Sequence, residues 1–144
     1  MKKGKKFNAR FIIVLGLFAL ISCAKSSSRV PLMVSEVVND NSLLNRQIRV
    51  SGAVVGESIM VESNLQQLSF LIANITTDKD LIEQEGGINA VLKNAVNDPN
   101  RLRLQVVYSG EKPDLLANMT YAIILGELHS DGILYADSIS LIFP

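Results

Sequence analysis

A chain of 144 residues has room for a single domain behind a targeting segment. Its one cysteine excludes an internal disulfide and a cysteine-based metal site. Five of the 14 basic residues (Lys2, Lys3, Lys5, Lys6 and Arg10) fall in the leader, so residues 23–144 hold nine basic against 14 acidic groups, a net of −5 that argues against nucleic acid as a partner. After the basic leader comes an apolar run from Phe11 to Ile21, interrupted only by Gly16. Such a run is about half what a helix needs to cross a hydrocarbon core of roughly 30 Å, so a secretory signal fits better than a permanent transmembrane helix.

Leu20-Ile21-Ser22-Cys23 resembles the bacterial lipobox, an aliphatic and a small residue before a cysteine. The resemblance implies that residues 1–22 are a lipoprotein signal peptide and that Cys23 takes a diacylglycerol. Lipid then holds the protein to the membrane of a bacterial cell envelope, facing the periplasm or the exterior; more than one acyl chain makes such an anchor stable. Residues 23–31, with three successive serines, read as a tether, and residues 32–144 as the domain.

In the domain, Val34, Val37, Val38, Leu43 and Leu44 predict a short, irregular helix or turn, with Ser35 as a cap. From Gln47 the period becomes two. Ile48, Val50, Gly52 and Val54 share one face, opposite Arg49, Ser51 and Ala53, and Gly52 marks a bulge or bend. A turn is expected at 56–58, a brief strand at 59–62 and a clear one at 68–75. Residues 76–100 depart from this rhythm: Leu81, Ile82, Ile88, Val91, Leu92 and Val96 recur at helical spacing, and Gly86-Gly87 splits them into two short helices. Leu102, Leu104, Val106 and Tyr108 form the next strand. A loop at 110–113 and one helical turn at 114–118 follow. A strand at 122–128, the hairpin turn Ser130-Asp131-Gly132 and a strand at 133–142 complete the chain. Five strands, short hairpins and one helical insertion predict an all-β fold, a small antiparallel barrel of the OB-fold kind.

Few residues offer chemistry. Asp78, Asp80, Glu83 and Glu85 read as a solvated helix face rather than a metal site or carboxylate pair. No nucleophile–base pair can be assembled, so no enzyme, catalytic residue or metal site is expected. His129 is the only histidine. It is a candidate cofactor ligand, although a solvated place beside the hairpin turn is the favoured reading. Tyr108, Tyr121 and Tyr135 could form a stacking platform for an envelope glycan or peptide, but strand packing explains them as well.

The stretch from Val34 to Ile142, apart from the insertion near residues 76–100, resembles the periplasmic haem chaperone of cytochrome c maturation, the E component of that system. Arg49-Val50-Ser51-Gly52, Tyr108-Ser109-Gly110, Pro113-Asp114-Leu115, Gly126-Glu127-Leu128, Asp131-Gly132 and Ala136 carry the likeness. It implies an OB-fold and a role beside a protein partner in cytochrome assembly. Relatives of this kind attach haem covalently through a histidine in a tail beyond the last strand. No histidine follows Ala136 here, so the resemblance carries no attachment residue onto this chain. The expectation is a lipid-anchored, non-catalytic binding or assembly module with no resident cofactor. Non-covalent haem handling is the alternative.

Overall fold

The computed structural model describes residues 30–144. The expected signal peptide, Cys23 and most of the expected tether lie outside the described residues. Ten elements follow one another: β1 (Leu32–Met33), α1 (Val34–Asn39), a 3-10 turn (Asn41–Leu43), β2 (Gln47–Glu62), β3 (Gln67–Ala73), α2 (Lys79–Gln84), α3 (Ile88–Asn97), β4 (Arg103–Ser109), β5 (Tyr121–Leu128) and β6 (Leu134–Ile142). The all-β expectation holds. One sheet closes on itself as a ring of five strands, in the order β2-β3-β4-β6-β5 and back to β2. The β4–β6 pair is parallel and the other ring pairs are antiparallel. This is an OB-like arrangement.

Strand β2 makes closure possible. Its first half, Gln47–Ala53, pairs with β5, and its second half, from Ala53 onward, pairs with β3. One strand thus serves two neighbours by bending between them. The turn expected at 56–58 is absent, because the strand absorbs these residues as an irregularity between Val55 and Met60. The Ser58 hydroxyl bridges it, donating to the Val55 carbonyl and accepting from the Leu71 N–H at 2.8 Å. A side chain thereby replaces ladder partners that the irregularity would orphan.

Gly52 sits in regular pairing opposite Ala122 rather than at a bulge. A Cβ there would lie 2.9 Å from the Ile72 Cβ, so close approach of β3 is what calls for glycine. The true bulge faces Gly126: β5 pairs Leu125 with Ser138 but Gly126 with Ala136, leaving Asp137 as the extra residue of β6. The helical turn expected at 114–118 is also corrected; these residues form plain turns, with Leu116 alone plugged into the core. Two-residue β1, pairing in parallel with Val50 and Ser51, was too short for periodicity to reveal.

Two apolar clusters hold the fold. Inside the ring lie Val50, Val54, Leu68, Phe70, Ile72, Leu104, Val106, Ile124 and Leu134, closed at one end by Val34 and Val37 of α1. The insertion forms two helices as expected, α2 capped by the Asp78 carboxylate accepting from the Asp80 and Leu81 N–H groups. Helix α3 lays Val91, Leu92, Ala95 and Val96 over the outer face of the ring at Ala53, Val55, Ala73 and Ile75. Alanines on both sides permit this approach. Both faces of the middle of β2 are consequently buried, which a two-period pattern cannot anticipate.

Candidate functional site

Two concavities and one polar cluster stand out. The larger is a groove of about 610 Å³ on the outer face of β2, β5 and β6. Register explains its composition. Arg49 pairs with Leu125 and Leu125 with Ser138, while Ile123 pairs with Ser140 one row on. Leu32 and Leu43 build one wall, and Val30 stands at the entry. Arg46 and Arg49 flank the apolar floor. Asn45 has a left-handed backbone (φ 60°), its N–H donates to the Leu128 carbonyl, and the Arg46 carbonyl accepts from the Leu128 N–H. These bonds fix where Arg46 stands. Both arginines are exposed, and the groove lining contains no carboxylate. Gln47, also in the lining, donates to Asp137 at its border at 3.0 Å.

The smaller hollow, about 420 Å³, lies between α3 and the end of β6. Leu92, Met119, Tyr121, Ile142 and Phe143 give it an apolar lining, with Lys93 as its one cation. Met119 and Phe143 are 42% and 57% exposed, so apolar surface here remains in water.

His129 lies at the β5–β6 hairpin. Its ring stacks on Tyr135 with centroids 4.1 Å apart, and its Nε2 stands 3.5 Å from Glu127 Oε1. The Tyr135 hydroxyl donates to Asp131 Oδ2 at 2.8 Å, and the Ile133 N–H donates to Asp131 Oδ1 at 2.9 Å. The backbone N–H of Ile133 and then the Tyr135 hydroxyl hold the Asp131 carboxyl below the ordinary aspartate value. The same Asp131 bond pushes the Tyr135 phenol above its ordinary value. Replacing Asp131 by asparagine will therefore let Tyr135 ionise at lower pH; ultraviolet titration of the phenolates will show one tyrosine moving down, and an unchanged curve would refute the bond.

Other sequence candidates fare differently. The three tyrosines do not form one platform. Tyr108 packs against the interior cluster, Tyr121 against the α3 cluster and Tyr135 against His129, and each is half-buried. Among the described residues no group of three or more His, Cys, Asp or Glu side chains could hold a metal. Nor is any described helix long and apolar enough to cross a membrane. The groove and the hollow escaped sequence reasoning, because each is assembled from segments far apart in the chain.

Residues 29–142 match the CcmE domain family, nearly the whole described body. The chain belongs to the CcmE family. Its function is accordingly related to the haem chaperones of cytochrome c maturation. No curated protein matches it. The matched range runs across α2 and α3, where the resemblance read from the sequence sets residues 76–100 apart.

Proposed function

We propose that this chain is a lipid-anchored, non-catalytic CcmE-family module of the bacterial envelope that binds a protein partner in cytochrome assembly and carries no covalently attached haem. Residues 1–22 are the signal, Cys23 the acylated terminus, 23–31 the tether and 32–144 the working domain. The position of the one imidazole carries the reading on haem. His129 lies at the hairpin end of β6, and Ile142 at the other end, where β6 meets the start of β5. At about 3.3 Å per residue the two ends are separated by roughly 25 Å. A family-type attachment histidine follows the last strand, so His129 stands at the wrong end of the ring for that role, and Tyr135 and Glu127 already engage it. The lipobox supports the anchor. Cys23→Ser will shift the protein from the membrane fraction to the soluble or unprocessed pool; unchanged membrane retention with a cleaved leader would count against lipidation.

The hollow beside α3 favours a second reading, non-covalent haem handling. It lies at Ile142, where the family match ends, and offers an apolar lining, the Lys93 ammonium for a propionate and the Met119 thioether as a soft donor. Haem titrated into the purified protein will give a Soret shift that Met119→Ala weakens at least severalfold. A flat titration would dispose of this reading and leave the first standing.

A further inference from the structure

The groove flanked by Arg46 and Arg49 has no part in either reading above. We infer that this groove is the face by which the domain lies on an anionic membrane surface, with the two guanidinium groups at acidic headgroups and the apolar floor toward the lipid. The inference rests on the anchor proposed at Cys23.

The point of chain entry selects this face. Val30, the first described residue, lines the groove, and Cys23 precedes it by seven residues. Full extension covers roughly 25 Å over that length, so a lipid on Cys23 keeps the groove within about one small-domain diameter of the bilayer. Charge makes the choice sharper. From Val30 onward the chain has seven basic against 14 acidic groups, so most of its surface is repelled by anionic lipid. The groove holds two exposed arginines three residues apart and no carboxylate in its lining; Asp40 attracts Arg46, and Asp137 at the border accepts from Gln47, but neither guanidinium lies within ion-pair distance of a described carboxylate. Between them lie Leu32, Leu43, Ile123 and Leu125, which give the face apolar area, while Ser138 and Ser140 supply hydroxyls on the outer row. Arginine near an anionic surface strengthens contact roughly fivefold per residue. Tethering supplies the high local concentration that two such contacts need.

The test uses the full-length lipidated protein in vesicles of phosphatidylethanolamine with or without phosphatidylglycerol. Acylation occupies Cys23, so a thiol introduced by Ser140→Cys takes an environment-sensitive probe alone; Asn100→Cys, in the turn before β4, serves as the reference position. The groove probe is expected to be shielded from an aqueous quencher at least threefold more than the reference probe, and only in the anionic vesicles. Combining Arg46→Gln with Arg49→Gln is expected to lower the docked-to-undocked ratio roughly 25-fold, to the level of zwitterionic vesicles. Equal quenching at both positions, or shielding that survives the double substitution, would overturn the inference. Shielding in the native envelope but not in lipid alone would assign the face to a protein and overturn it too. Mass analysis of the N-terminal peptide separates the two readings. An unmodified Cys23 removes the anchor and this inference together, whereas an acylated Cys23 with equally quenched probes removes this inference alone.

Discussion

Phe70→Ala will destabilise the domain by about 4 kcal/mol, the largest loss expected from any one side chain. Phe70 is 1% exposed in the middle of β3, where it pairs with Val106 of β4. It is the largest of the fully buried side chains and sits in the cluster that fills the ring with Val54, Leu68, Ile72, Leu104 and Leu134. Removing a phenyl group loses its transfer free energy and leaves a void that a closed ring cannot collapse to fill. With total stabilities of about 5–15 kcal/mol for ordinary domains, such a loss brings the chain close to unfolding. Urea denaturation followed by circular dichroism will show a lower midpoint with an unchanged slope. A loss under about 1.5 kcal/mol would mean that the ring interior is loosely packed.

Gly126→Ala is the second large effect, about 3 kcal/mol, and it acts through the backbone. A Cβ at Gly126 would collide with the Tyr135 carbonyl oxygen and stand 2.8 Å from the Ala136 Cα. Both are main-chain atoms of β6 beside the bulge, so no rotamer change relieves the clash. The strands must separate, and the pairing that holds the hairpin to the ring loosens with them. Gly132→Ala provides the comparison. That residue has φ 79° but nothing within 4 Å of its Cβ position, so it should cost only about 1 kcal/mol of conformational strain. Similar losses at the two positions would contradict the close-packed bulge.

The ring was legible in the sequence where the two-residue period is undisturbed. Leu68, Phe70 and Ile72 point inward as their alternation predicts, as do Leu104 and Val106. Strand β6 shows where that method fails. Alternation taken from Leu134 and Ala136 would continue inward to Ser138 and Ser140, but the bulge at Asp137 moves Ile139 and Leu141 to the core and turns both serines out to the groove. Apolar residues at 139 and 141 are the trace of that shift in the sequence. The helices were readable from spacing between Leu81 and Val96, but not their seat. Burial of Ala53 and Ala73 beneath α3 depends on contacts between distant segments. Likewise His129 reads correctly as a residue beside the hairpin turn, while its stacking on Tyr135 and the sharing of Asp131 between Tyr135 and Ile133 require the folded hairpin.

Intact mass of the protein purified from its own bacterial membrane, with haem supplied during growth, addresses acylation and haem attachment in one spectrum. The account predicts a chain starting at Cys23, increased by acyl groups, with no porphyrin retained after denaturation. A haem adduct that survives denaturation and maps to His129, or an intact leader on an unmodified Cys23, would contradict it.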